Sequence, residues 1–250
     1  MRIFFTSILL LYSFLSNAQL SKEEIKKYHI YKIIEKFFEG ETLEEKTASY
    51  FDKQGNILKE TAGNDTAITT REYQYESERV KKIIDHEFGH TTEYFYEPDG
   101  SYLTITTDKR FGAKNYSWHR PNGDIIKAFG GDTIFYKYNE LGKLQEIKTD
   151  SGKQVKFHVK FIYNPKGQLE KVENPTDEFN NLTETYTYNL HGKRIKATTK
   201  TNLHGMTRTN VSKYKYNKKG FLIRETTVHR GERGDKFTTR TIYEYEFYKD

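Results

Sequence analysis

The sequence predicts an all-β protein: an antiparallel meander of about eight hairpin repeats forming one long twisted or curled sheet, an open spiral or partial barrel, with a short N-terminal helix. Three observations carry this reading. A unit of the form aromatic-x-Tyr-Asn-x-x-Gly-x-Leu, clearest in Phe135 to Gly152, recurs through most of the 250 residues. Proline has a fixed φ and no N–H, which suits the second position of a type I turn, and Pro98, Pro121 and Pro165 all fall there in the repeat. Twenty Tyr and 17 Phe supply large apolar groups, yet the hydrophobic fraction is 35%, which fits a thin sheet with one wet face better than a thick sandwich.

In chain order, residues 1–18 read as a signal peptide. Arg2 gives the positive region, Ile3 to Leu15 the apolar run, and Ser16-Asn17-Ala18 the small residues at a cleavage site, so processing is expected near Ala18, before Gln19. The apolar run is short for a transmembrane helix and no second one follows. The chain has no cysteine, hence no disulfide and no cysteine on which a lipid anchor could be built. The expectation is an exported protein, periplasmic or extracellular, soluble after cleavage. A membrane β-barrel is disfavoured because Lys and Glu occupy both strand faces.

Residues 19–46 form an N-terminal segment. Ser21 and Glu24 have the spacing of a capping box, which predicts a short helix over Ser21 to Lys27. The β-branched and aromatic residues of Tyr28 to Phe38 then predict a strand, with a turn at Gly40 into Leu43 to Phe51.

Residues 47–250 hold the repeats. Gly55, Gly100, Gly142, Gly167, Gly192 and Gly220 each follow an aromatic by four residues, and Gly123 follows His119 in the same way. Tyr73 and Tyr75 begin a copy whose glycine is replaced near Arg79. The turn chemistry is type I with glycine in the left-handed bulge position. The expected register sets Tyr138 opposite Leu144, Tyr136 opposite Glu146 and Lys137 opposite Gln145. Looser second turns fall at Gly63, Gly89, Gly112, Gly130, Gly131, Gly152, Gly205 and Gly231, with Pro175 in a less regular one. The second face carries apolar pairs early (Tyr50 with Leu58, Phe95 with Leu103, Trp118 with Ile126). Later it has Lys137 with Gln145, Ile162 with Glu170, and Lys215 with Ile223. The early half of the sheet is therefore expected to be covered on both sides.

The unit Tyr136-x-Tyr138-Asn139-x-x-Gly142-Lys143-Leu144 resembles the YD repeat of the RHS family, with Asn139, Asn164, Asn189 and Asn217 where that family commonly has Asp. The resemblance covers roughly residues 47 to 248. It implies a long antiparallel meander of the kind that winds into a shell in large family members, which eight units are too few to close. It also implies an association with carbohydrate, although no sugar-binding motif residue carries over to this chain.

Charge divides along the chain. Lys and Arg number 12 against 18 Asp and Glu in residues 19–100, and 28 against 17 in residues 101–250. Between Tyr186 and Arg224 there are ten basic residues and no acidic one. Tyr186, Arg194, Lys196, Tyr214, Lys215, Lys218, Lys219 and Arg224 are the candidate binding residues, since aromatics and cations on one face can stack on sugar rings and attract anions. The partners this suggests are an anionic polysaccharide or an envelope or surface protein. Nucleic acid fits the charge but not export. The bland reading puts the tyrosines on the core side and the lysines in solvent.

One motif points to catalysis. His86-Glu87-Phe88-Gly89-His90 is H-E-x-x-H, which on a helix places two histidines on zinc with Glu87 as general base. Counting from Arg79 puts Gly89 at a second-turn position, so these residues are expected at a hairpin tip, where helical spacing is lost. The main expectation is a non-enzymatic protein without a cofactor; the alternative is a zinc hydrolase using His86, Glu87 and His90.

Overall fold

The computed structural model describes residues 20–249 except 64–65, 67, 131, 151–154, 175–179, 204–205 and 232–233. The signal segment, Gly131, Gly152, Gly205 and Pro175 lie outside the described residues. Helix α1 (Lys22–Lys27) opens the chain with the expected capping box: the Glu24 N–H donates to the Ser21 hydroxyl and the Glu24 carboxylate accepts from the Ser21 N–H. Two strands follow, β1 (Ile30–Glu39) and β2 (Thr42–Phe51), joined through Gly40. Then come β3 (Ile57–Ala62), β4 (Ile68–Glu76), β5 (Arg79–Asp85), β6 (His90–Tyr96), β7 (Tyr102–Asp108) and β8 (Lys114–His119). Next are β9 (Ile125–Phe129), β10 (Thr133–Tyr138), β11 (Leu144–Asp150), β12 (Val155–Tyr163) and β13 (Leu169–Asn174). The chain finishes with β14 (Asn180–Tyr188), β15 (Arg194–Leu203), β16 (Met206–Tyr216), β17 (Leu222–Gly231) and β18 (Lys236–Phe247).

Every strand pairs antiparallel with the next, as the meander predicts, but the sheet does not stay open. β18 returns to β1, with Tyr245 opposite Ile33 and Tyr243 opposite Glu35, and β1 also pairs with β2. The open spiral is thus corrected to a closed 18-stranded barrel. The eight tight-turn hairpins supply 16 strands; the two ends of the chain supply the ninth pair. Closure removes both free edges, which a lone meander would leave open to pairing.

The tight turns form as their chemistry requires. Gly142 sits at φ +70°, its N–H donates to the Asn139 carbonyl, and the Asn139 side chain accepts from the N–H groups of Leu141 and Lys143. Asp52 does the same for Gln54 and Asn56, so Asp and Asn serve equally at this position. The unit lacking glycine uses Ser77 and Glu78, both at positive φ.

The expected register is corrected by one residue. Tyr138 does face Leu144, but Tyr136 faces Ile147 and Lys137 faces Glu146, because a bulge inserts Gln145. The same bulge follows the turn in seven of the eight hairpins, so Tyr50 faces Lys59, Trp118 faces Lys127, Ile162 faces Lys171 and Lys215 faces Arg224. Phe95 faces Leu103 as expected, in the one hairpin with regular pairing. Bulges increase local twist and bend the strand, and a ring of them along one rim curls the sheet towards closure.

The tyrosine of each unit ties its hairpin to the previous one. Tyr163 donates its hydroxyl to the carbonyl of Leu144, Tyr188 to Leu169, Tyr216 to Arg194 and Tyr245 to Leu222, all at 2.7–2.8 Å. Tyr75, Tyr96 and Tyr138 make the same bond to Ile57, Val80 and Ile125, and Tyr248 closes the ring onto Phe51. Where His119 stands in the aromatic slot, its ring stacks on Tyr102 at 4.4 Å instead. The rim bearing these turns also carries α1. Ile25, Ile30, Ile33, Phe51 and Phe221 pack together there, and a Cβ at Gly55 would lie 2.5 Å from the Lys22 carbonyl oxygen.

Because the sheet closes on itself, the less accessible face is the inner one. Along β10 and β16 the tyrosines are half-buried and the alternating Lys137, Lys213 and Lys215 are exposed. From β11 to β15 the inner face holds a core of Ile147, Val159, Phe161, Leu169, Val172 and Tyr186, with Ala197 beside them. The expected cover over the outside of the early half is not there: Phe95 (47%), Trp118 (38%) and Phe129 (44%) are exposed on the outer wall.

Candidate functional site

The candidate binding residues divide between the two faces and the rim. Tyr186, Tyr214 and Arg194 point inward. Tyr186 and Arg194 are buried, with the Arg194 guanidinium 4.0 Å from the Tyr186 ring centroid. Lys196, Lys215 and Arg224 point outward, while Lys218 and Lys219 lie on the tight turn at Gly220. Lys219 is 5.2 Å from the Phe247 ring. The structure therefore does not gather the aromatics and cations on one face. The period of two sends them to opposite sides.

What it does gather is a cationic outer wall. On β15, β16 and β17 the outward positions include Lys196, Lys200, Lys213, Lys215, Arg224 and Arg230, all exposed. Lys196 lies directly opposite Lys213 and Lys215 directly opposite Arg224, and like charges in that arrangement oppose folding. Among the described residues, none of these six takes part in an ion pair. The one acidic residue in the three strands, Glu225, faces inward beside Tyr214. Lys200, Lys213 and Arg230 were not in the candidate set; alternation along β16 finds Lys213, and the phase of β15 and β17, once the bulge is counted, finds Lys200 and Arg230.

H-E-x-x-H lies at the tip between β5 and β6, with residues 86–89 in the turn and Gly89 at φ +67°. The helical geometry the zinc motif needs is absent. His86 approaches Glu72 at 3.6 Å. His90 faces inward, across from Asp85 on one side and Asp108 on the other, with its Nε2 3.2 Å from the Asp108 carboxylate. It belongs to a row crossing five strands: Glu60, Arg71, Asp85, His90 and Asp108. Arg71 bridges Glu60 at 2.8 Å and Asp85 at 2.9 Å, and Tyr73 donates to Glu60 at 3.1 Å. Among the described residues, no group of three or more metal-ligating side chains converges.

A second acidic region lines the inner face at β1 and β17. Burial, then the charges of Glu60, Glu225 and Glu45, push the Glu35 carboxyl up to about 7. Burial raises Glu184 and Glu225 in the same direction, opposed by Tyr hydroxyls and by Arg194.

The architecture defines a closed up-and-down β-barrel of hairpin repeats, and no helix among the described residues is long and apolar enough to cross a membrane. A porin-like protein from Bacteroides uniformis shares the fold, with a TM-score of 0.50, 14% identity and coverage of 88% of this chain and 97% of that one. No family model matches the chain. Over 125 residues, 49% of its length, the chain is 27% identical to the tRNA3(Ser)-specific nuclease WapA of Bacillus spizizenii. It is 26% identical to the tRNA nuclease WapA of Bacillus subtilis over the same length. The matched stretch spans 5% of each of those proteins.

Proposed function

We propose that this chain is an exported, non-enzymatic barrel of YD-like hairpins that binds an anionic polysaccharide through the outer wall of β15 to β17. The observation that carries the reading is the pair of directly opposed like charges, Lys196 with Lys213 and Lys215 with Arg224, on a face with no acid in its three strands. Such an arrangement costs stability and makes sense where a polyanion supplies the missing charge. The wall also suits water rather than lipid. Its exposed outward lysines and arginines leave no uninterrupted apolar belt on the outer face of β15 to β17, in keeping with a protein released by cleavage near Ala18 into the periplasm or beyond. The nuclease activity named for the WapA proteins stays with them, since a twentieth of their length is matched.

The test is elution of the folded protein from immobilised heparin in a salt gradient. Changing Lys196, Lys213, Lys215 and Arg224 together to Gln is expected to lower the eluting salt clearly, because exposed charge attraction is screened. Changing Lys218 and Lys219 to Gln at the rim is expected to have a smaller effect. Unchanged elution of the fourfold variant overturns the assignment to this wall.

A further inference from the structure

The outer wall of β1 to β4 lies beside the seam where the two ends of the chain meet. A cavity of about 530 Å³ opens there, with Tyr31, Tyr50, Leu58, Lys59, Glu72 and Gln74 among its eight lining residues, a volume in the range of small-molecule sites. Leu58 is the bulge residue of the first hairpin, so the device that bends the barrel also puts an apolar side chain at this mouth.

The charges around the cavity are held apart. Lys59 and Glu72 are direct cross-strand partners, an arrangement that ordinarily favours an ion pair. Lys59 instead lies 4.9 Å from the Tyr50 ring centroid, while Glu72 turns to His86 at 3.6 Å. Lys32 sits 5.3 Å from the same Tyr50 ring but is held by Glu246 at 3.2 Å. Glu246 also accepts the Tyr31 hydroxyl, which fixes the second aromatic wall. Lys59 has no ion-pair partner among the described residues.

We infer that the seam cavity binds one carboxylate-bearing pyranose. Tyr50 offers an aromatic surface to the apolar C–H face of the sugar, and the Lys59 ammonium donates to its carboxylate. Glu72 accepts from ring hydroxyls, and the Gln74 amide both donates and accepts. Eight lining residues are too small a footprint for a protein partner, which needs about 800 Å² per side. This site is separate from the cationic wall and does not depend on it.

The experiment is a titration of the full folded chain with methyl β-D-glucuronide, followed by saturation-transfer NMR. Saturable binding is expected with a Kd in the range of about 1–10 mM. Lys59→Gln, an exposed change that leaves the packing intact, is expected to weaken it at least ~5-fold, as is replacing the probe by the uncharged methyl β-D-glucoside. Tyr50→Leu should abolish it. The fourfold wall variant, whatever its behaviour on heparin, should bind this monosaccharide as the parent does. Absence of saturation up to about 20 mM, or binding that Lys59→Gln and Tyr50→Leu both leave unchanged, overturns the inference.

Discussion

Two sectors of this barrel wall use the same hairpin and opposite polarity. From β11 to β15 the inner face is mainly apolar, built on Ile147, Val159, Phe161 and Val172, with Glu184 and Arg194 buried beside them, and the outer face carries charge and hydroxyls. From β3 to β9 the inner face holds the row from Glu60 to Asp108. The outer face there shows Phe95, Trp118 and Phe129 to solvent. Turn, bulge and tyrosine bond recur in both sectors, so the backbone is set by these local devices. Which face is greasy is then free to change around the ring.

The largest expected effect tests whether the apolar sector is where the stability lies. Ile147 is fully buried, and Ile147→Ala should cost about 3 kcal/mol in urea unfolding by lost burial and a cavity. Phe135→Ala, on the outer face of the adjacent strand, should cost well under half of that. Equal costs would erase the contrast. In the polar sector, Arg71→Met should cost about 2 kcal/mol, since Glu60 and Asp85 lose a shared charged donor. Adding Glu60→Gln and Asp85→Asn should recover part of the loss, and failure to recover any would mean that the row contributes through packing alone.

The smallest effect is a slope. Glu35 is pushed up to about 7 from an unfolded value of about 4.3, so the native state holds the extra proton between those limits. Its contribution is fully present below about pH 4 and is lost as pH rises through 7. Glu184 and Glu225, also raised by burial, add in the same sense. The melting temperature should therefore fall between pH 5 and pH 7.5 by this contribution, and Glu35→Gln should flatten the fall. An identical slope in the variant would assign the titration to another group.

Much of the fold was legible because turns are local. Asn139, Gly142 and Pro165 announce their turns by φ preference and side-chain capping, and Ser21 with Glu24 announces α1. Closure was not legible, since it depends on twist accumulated over 18 strands rather than on any one residue. The register failed by one because the bulge residue (Leu58, Ile126, Gln145) has no special backbone chemistry to betray it. That single residue also moved the site: once it is counted, Lys196 and Arg224 leave the tyrosine face and join Lys213 and Lys215 outside. The tyrosine hydroxyl bonds were hidden for a different reason, as an aromatic at a strand end reads as a packing group until its neighbour's carbonyl is placed.

The seam between β1 and β18 has a bearing on the order of assembly. Each tight-turn hairpin joins strands a few residues apart and can form as soon as its two arms exist. The seam, with Tyr31 bonded to Glu246 across 215 positions, must wait for the last strand. Bringing together ends so far apart costs about 2 kcal/mol more in chain entropy than closing a loop of ~20 residues. The wall is thus expected to grow by local steps and to become a ring in one late event. By the same logic the circle has no privileged starting point. Linking the ends near His29 and Tyr248 and opening the chain at another exposed loop would leave every pairing in the ring unchanged, while moving the late event to a new place in the wall.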